Sequence, residues 1–255
     1  MELFCNPAVA SVYNSPAQRA RVISEQWFSE NSYCLACKSD HLTKTPANTR
    51  ATDFSCNICG HSYELKTFVR RPRKSLVDGA YATIVAMIES GTAPTLCLLE
   101  RTELWRVQSL TAIHSSFLTP WVIERRQPLS EHDRRAGWVG CNICLDRIPL
   151  DGEIALVEKG IAEDRVEVRR RFQRFLPLSN LPSDQRGWST LTLSVIRELK
   201  KSEFSLSDVC EREQRFAVVY PGNRHIRPKI RQQLQVLSDL GVLSFKGGGR
   251  YALAE

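Results

Sequence analysis

Thr52-Asp-Phe-Ser-Cys-Asn-Ile-Cys-Gly-His-Ser-Tyr-Glu-Leu-Lys66 is the stretch on which the fold of this chain turns. Two patterns overlap in it. In the first, Asp53 is followed after ten residues by Glu64-Leu-Lys66. Tyr63 to Thr67 reads as a short strand, so Glu64 and Lys66, two apart, point to the same face. In the second, Cys56-Asn-Ile-Cys59 follows Cys34-Leu-Ala-Cys37 with eighteen residues between them. Two C-x2-C knuckles at that separation are the spacing of a structural zinc site. Four thiolates close a tetrahedral shell and leave no position open for a reacting water, so the expected zinc is structural.

The acid–acid–lysine pattern calls for different chemistry. Two carboxylates on adjacent strands hold Mg²⁺ beside a phosphodiester. The metal stabilises developing negative charge and lowers the pKa of an attacking water. A lysine on the same face orients that water and offsets the charge of the transition state. The expected roles are therefore Asp53, Glu64 and Lys66 as catalytic residues, with Asp53 and Glu64 as Mg²⁺ ligands. The competing reading makes Glu64 and Lys66 a surface ion pair of little value.

Working outward, 255 residues suit two domains. A content of 42% hydrophobic and 25% charged residues is that of a soluble globular protein. No apolar run approaches a membrane span, and Met1 to Ala10 lacks the basic start and apolar core of a signal peptide. The expected location is the cytoplasm. An odd number of cysteines, nine, argues there against a disulfide framework. Cys141-Asn-Ile-Cys144 has no fourth pair to complete a site. With Cys5, Cys97 and Cys210, it is expected to be buried as small apolar side chains.

A Pro-, Ser- and Asn-bearing segment, Leu178 to Arg186, reads as a linker. It divides the chain into 1–182 and 183–255. Before it the pattern is mixed α/β. A helix begins at Ser15-Pro16 and carries Ala20, Ile23 and Trp27. A second is expected over Asp78 to Glu89, stopped by Gly91. Strands are expected at Thr95 to Leu99, Leu104 to Val107 and Ile154 to Val157. After the linker, Leu191, Val195, Ile196 and Leu199 mark one helix, and Ser205-Leu-Ser-Asp208 starts another. Ile226, Ile230, Leu234 and Leu237 mark a third, with Pro228 tolerated near its start. A hairpin follows, Val242 to Lys246 and Arg250 to Leu253 about Gly247-Gly-Gly249. Three helices and a hairpin make a winged helix.

The net charge of +7 suits a polyanionic partner, and its placement is more informative. Pro221 to Ser238 carries four basic residues and no acid. Asn223, Arg224, His225, Arg227, Lys229 and Arg231 therefore fall where a recognition helix meets base edges and phosphates, and Lys246 and Arg250 lie on the wing. In the first domain, Arg134-Arg-Ala-Gly-Trp-Val-Gly140 is a second candidate contact. Trp138 is flanked by glycines that permit close approach, and Arg134 and Arg135 serve as phosphate anchors. The alternatives are a winged helix that contacts protein and a tryptophan buried beside a turn.

Several long blocks carry a resemblance beyond these patterns. They are Thr52 to Cys59 with Tyr63-Glu-Leu-Lys66, Asp78-Gly-Ala-Tyr-Ala-Thr83, Arg134 to Ile143, Arg186-Gly-Trp188, and His225 to Gln235. From Ala20 to Tyr251 the chain resembles the DpnI-type restriction endonucleases. That resemblance implies an α/β restriction-endonuclease-like core of the PD-(D/E)xK kind with a zinc knuckle insertion, followed by a small winged helix. It implies Mg²⁺-dependent cleavage of double-stranded DNA at GATC when the adenine carries an N6-methyl, with both domains reading the site. Carried over by motif, Asp53, Glu64 and Lys66 are catalytic, and Cys34, Cys37, Cys56 and Cys59 bind zinc. The sequence departs at Thr52, where proline is common, and in a more basic loop, Phe68-Val-Arg-Arg-Pro-Arg73. No protein partner is implied, and a monomer is compatible with the sequence. Two rival functions stay open: a zinc and winged-helix transcription regulator without nuclease activity, and a same-fold nuclease with another target.

Overall fold

The computed structural model describes residues 1–46 and 49–254, which fall into two compact units. The first comprises Met1–Lys74, Thr92–Ser115 and Glu153–Gln173; the second comprises Ser75–Gly91, Ser116–Gly152 and the chain from Arg174 onward. Among the described residues no helix is long and apolar enough to cross a membrane.

The first unit is built on a seven-stranded sheet of β1 (Thr43–Lys44), β2 (Phe54–Ser55), β3 (Ser62–Phe68), β5 (Thr95–Arg101), β6 (Val107–Ile113), β9 (Glu153–Glu158) and β10 (Ile161–Ala162), in that spatial order. β3 pairs antiparallel with β2 and parallel with β5, setting Glu64 opposite Leu96 and Lys66 opposite Leu98. Thr95 to Leu99 are all buried, the near-continuous apolar run of a strand covered on both faces. Helix α1 (Pro16–Asn31) starts at Pro16 as expected and buries Ile23, Trp27 and Phe28. Its Ser24 hydroxyl donates to Thr67 Oγ1 on β3 at 3.0 Å. Helix α3 (Arg165–Gln173) buries Val168 and Phe172, and the Phe172 ring lies 4.1 Å from that of the fully buried His114.

Two expectations fail in this half of the chain. Asp78 to Glu89 is not one helix: β4 (Ser75–Ala80) runs first and α2 (Tyr81–Glu89) begins after it. Leu76 and Asp78 are buried while Ser75, Val77 and Gly79 are exposed, a period of two, and Gly79 is a poor helix residue. Of Leu104 to Val107 only the end is strand: Leu104 and Trp105 form the turn before β6, which begins at Val107. Trp105 adopts φ +65° there, with its ring centroid 3.6 Å from the Arg101 guanidinium carbon.

The second unit holds a sheet of β4, β8 (Gly140–Cys144) and β7 (Ile123–Arg125), with β8 central. It also holds α4 (Leu176–Ser179), α5 (Ser183–Leu199), β11 (Glu203–Ser205), α6 (Leu206–Cys210), α7 (Glu213–Val219), α8 (Ile226–Asp239), β12 (Leu243–Gly247) and β13 (Arg250–Leu253). The segment expected as a linker thus contains the end of α4 and the first turn of α5. Ser205 and Asp208 form a full capping box at the start of α6, as the sequence suggested. β12 and β13 form the expected hairpin, and β11 extends it on the far side of β13. In the core, Trp188 stacks on Phe216 and Tyr220 at 5.7 and 4.1 Å. Gly187 is required beneath that stack, because a Cβ there would sit 2.5 Å from the Tyr220 hydroxyl. Arg186, 4% exposed, donates to the carbonyls of Ile88 and Leu181. It therefore caps the C-terminus of α2, where a cation is favoured. Arg197 grips Asp151 with two bonds at 2.7 and 2.5 Å.

Candidate active site and nucleic-acid interface

Asp53 precedes β2 and is held on three sides. Its N–H donates to the Tyr63 carbonyl at 2.9 Å, its carbonyl accepts from Thr45 at 2.9 Å, and its Oδ2 accepts the Leu65 N–H at 2.8 Å. Glu64 and Lys66 share a face of β3, with Oε1 and Nζ 2.6 Å apart. Glu64 is 9% exposed, so this is not a solvated surface pair. On neighbouring β5, burial first, and then the charges of Asp53 and Glu64, push the Cys97 thiol up. Both carboxylates therefore act on one small region of the sheet.

A third carboxylate escaped the sequence reading. Glu25 of α1 lines a cleft of about 260 Å³ with Asp53, Arg21, Lys44 and Thr52. It bonds Arg21 Nε at 2.5 Å and Lys44 Nζ at 2.6 Å. Burial opposes its charge, yet Arg21 and Lys44 outweigh that and hold the carboxyl below its usual range. No local motif marks Glu25; only the packing of α1 brings it to Asp53.

The loop that leaves β3 is basic. Arg71 is pinned to the sheet, donating to Thr111 Oγ1 at 3.0 Å and to Glu153 Oε2 at 2.7 Å. Arg70, Arg73 and Lys74 are exposed.

The four cysteines converge as their spacing implied. All four sulfurs lie within 4.8 Å of one another, with Cys34 to Cys59 at 3.5 Å and Cys37 to Cys56 at 3.6 Å. A tetrahedron with Zn–S near 2.3 Å has edges of about 3.8 Å, so the cluster is compatible with a zinc knuckle. The second C-x2-C is the turn between β2 and β3, closed by Gly60 at φ +73°, whose N–H donates to the Cys56 carbonyl at 2.8 Å. Burial works against the Cys56 thiolate, but N–H groups of Cys59 and Ile58 pull the thiol down to about 6. Arg169 of α3 braces the first knuckle, donating to the carbonyls of Cys34 at 3.0 Å and Ser39 at 2.8 Å. Cys141 and Cys144 sit on β8, and they, Cys5, Cys97 and Cys210 are buried as expected.

The remaining site residues all belong to the second unit. Asn223 Oδ1 accepts the His225 N–H at 2.8 Å, ordering the approach to α8. Arg227 is engaged by Glu213 at 2.7 and 3.2 Å, and Arg250 pairs with Glu203 at 3.6 Å. The Lys229 ammonium lies 5.9 Å from the Trp188 ring centroid. Arg224, Arg231 and Lys246 are exposed and ion-paired to no other described residue. Ile230, Gln233, Leu234 and Leu237 face inward. The opposite stripe, Pro228, Arg231, Gln232 and Gln235, lines a groove of about 770 Å³ with the wing residues Phe245 and Tyr251. Gln232 and Gln235 carry no charge, so nothing in the sequence pattern marked them as nucleic-acid contacts. Arg134, Arg135 and Trp138 share one loop. The Arg135 guanidinium carbon is 4.7 Å from the Trp138 ring centroid. The ring lies on Gly140, where a Cβ would approach it to 2.8 Å.

Known families match both parts of the chain. Residues 1–181 match the Dam-replacing family, and residues 184–252 match the Dam-replacing helix-turn-helix domain. The chain therefore belongs to the Dam-replacing, DpnI-type family of DNA-binding restriction nucleases.

Proposed function

We propose that this protein is a methyl-directed type II restriction endonuclease that hydrolyses double-stranded DNA at GATC sites carrying N6-methyladenine, with Mg²⁺ as catalytic metal and Zn²⁺ as structural metal. The observation that carries the reading is the placement of Asp53 and the pair of buried Glu64 and half-buried Lys66 on the hairpin β2–β3 in a chain of this family. The donor sets suit the two metals: carboxylate oxygens for a hard ion such as Mg²⁺, four sulfurs for Zn²⁺.

When bound, Mg²⁺ supplies Lewis-acid stabilisation of the phosphoryl oxygens. The chain's own groups do the rest. Asp53 and Glu64 would hold that ion, with their carboxylates set on the two arms of one hairpin. Lys66 orients the attacking water and places a positive charge where the pentavalent phosphorus gathers negative charge. Glu64 in turn fixes the Lys66 ammonium through their 2.6 Å contact. Glu25 joins as a further acid on the Asp53 side of the site.

Binding is divided between a loop and a winged helix. Arg224, His225, Arg227, Lys229, Arg231, Lys246 and Arg250 supply backbone and base contacts, with Asn223, Gln232 and Gln235 as polar readers. Arg134 and Arg135 anchor the loop that presents Trp138, and Arg70, Arg73 and Lys74 add backbone charge beside β3. An N6-methyl projects into the major groove. One methyl yields only about 1–3 kcal/mol of discrimination, so reading both methyls of the palindrome sharpens the preference. The protein works in the cytoplasm, where the knuckle thiols stay reduced. Digestion of one plasmid prepared with and without adenine methylation, with and without Mg²⁺, followed by sequencing of the ends, tests the reading. Cleavage only of methylated DNA, only with Mg²⁺, and at GATC is expected. Equal cutting of both plasmids, or none of either, would overturn it.

A further inference from the structure

Tyr63 occupies a position that the catalytic trio does not use. It is 1% exposed and directly precedes Glu64 on β3. Its hydroxyl accepts the Leu35 N–H at 2.9 Å and lies 3.3 Å from Cys34 Sγ. With its oxygen accepting from Leu35, the phenol proton is left to donate to the sulfur. That is an outer-shell hydrogen bond to a metal ligand, of the type that fixes and tunes such ligands.

The backbone of the same residue holds the other site. The Tyr63 carbonyl accepts the Asp53 N–H at 2.9 Å, and Tyr63 pairs with Phe54 across the hairpin. Both arms of that hairpin carry a catalytic carboxylate, and its turn is the knuckle Cys56–Cys59. Side chains alternate along a strand, so Tyr63 reaches the cysteines from one face while Glu64 and Lys66 occupy the other. One residue thus touches a ligand of the first knuckle, spans the hairpin closed by the second, and sets the backbone of Asp53 and Glu64.

We propose that Tyr63 is a positioning residue that couples the tetrathiolate site to the Mg²⁺ site: its hydroxyl on Cys34 fixes the β2–β3 hairpin so that Asp53 and Glu64 stand at the separation a divalent ion requires. This rests on the reading that the cysteines hold zinc and that the trio hydrolyses DNA. The coupling is reciprocal, because an equilibrium linkage acts equally in both directions. Filling the carboxylate site slows zinc loss, and weakening the zinc site raises the Mg²⁺ requirement.

The test uses the full chain as wild type and as Tyr63→Phe, which keeps the ring and removes the hydroxyl. Zinc per chain is measured first, then the rate of zinc release to a chromogenic chelator, then the Mg²⁺ dependence of plasmid cleavage. Tyr63→Phe is expected to lower zinc affinity by about 10–100-fold. It is also expected to raise the Mg²⁺ concentration for half-maximal cleavage by about fivefold or more, with a smaller effect on the rate at saturating Mg²⁺. In wild type, Ca²⁺ in place of Mg²⁺ should slow zinc release without cleavage, and Asp53→Asn should erase that protection. This arm needs no Tyr63 variant to fold. Faster zinc release with an unmoved Mg²⁺ midpoint would confine the hydroxyl to the knuckle and overturn the coupling, as would zinc release indifferent to Ca²⁺. Wild-type protein that holds no zinc would overturn the metal reading itself, and the coupling with it. Wild-type protein with zinc but no cleavage would refute the nuclease reading and leave the Ca²⁺ arm to decide the coupling.

Discussion

The tetrapeptide Cys-Asn-Ile-Cys occurs twice in this chain, at 56–59 and at 141–144, with opposite outcomes. In the first copy it is a turn, and its isoleucine is 78% exposed. Gly60 follows at φ +73° and closes the knuckle. In the second copy it is the central strand β8, and its isoleucine is 2% exposed. No glycine follows; Leu145, itself buried, begins a short 3-10 turn. At 56–59 the cysteines point together toward a second pair. At 141–144 the alternation of a strand sends them to different faces. Four identical residues therefore do not define a metal knuckle. The residue after them and the presence of a partner pair do.

Serine substitutions probe this difference most strongly. On the proposed zinc reading, Cys56→Ser takes away one of four ligands and should cost the first unit its metal, much of its fold and all cleavage, read by metal analysis and circular dichroism. Cys141→Ser, at a site of 0% exposure, should leave the metal content unchanged. It should lower stability by about 1–3 kcal/mol, the cost of burying a hydroxyl. Loss of zinc from Cys141→Ser, or a fully folded and active Cys56→Ser, would break the contrast.

A second substitution separates what the first hairpin does from what holds it. Asp53→Ala should abolish cleavage while zinc content and DNA binding remain close to wild type, because affinity comes mainly from basic side chains on phosphates. Lys66→Ala should lower the rate by about 10²–10³-fold, the usual loss of one transition-state donor. A nicking assay and a gel-shift titration read the two quantities. Near wild-type cutting by either variant places the chemistry elsewhere.

The smallest effect concerns acid. His114, buried in the first unit beside Phe172, has its pKa pushed down to about 3, chiefly by burial and further by the proximity of His61. A depressed folded pKa means the neutral form is the one that fits. Its contribution is fully present above the ordinary value of 6.5 and is lost as pH falls from there toward 3. His114→Gln should therefore melt at a temperature that depends less on pH across that window. Acid release of metal affects both proteins, so only their difference reports on His114. Parallel melting curves would show that this imidazole does not contribute to the acid limb.

The sequence by itself determined what depends on short spacing. The D-x10-E-x-K pattern and the second knuckle lie on one hairpin, and the first knuckle meets its partner across eighteen residues. The capping box at Ser205 and Asp208 is likewise local. Tertiary structure alone decided the rest. Glu25 lies twenty-eight residues before Asp53 and reaches its cleft only because α1 packs on β3. Asp78 to Ala80 precede a stretch of helical spacing and are expected to join it. They pair with β8 as strand instead, and that pairing outweighs a weak local preference. Arg186 and Arg197 were hidden in a supposed linker and an ordinary amphipathic helix. Their partners, the Ile88 carbonyl and Asp151, lie 98 and 46 residues away in the chain. A fragment begun at Gly187 would start inside α5 and lose both contacts, because Arg186, Ile88 and Asp151 all precede it. Burial of a polar group is settled by whichever distant partner satisfies it, and no window of sequence contains that partner.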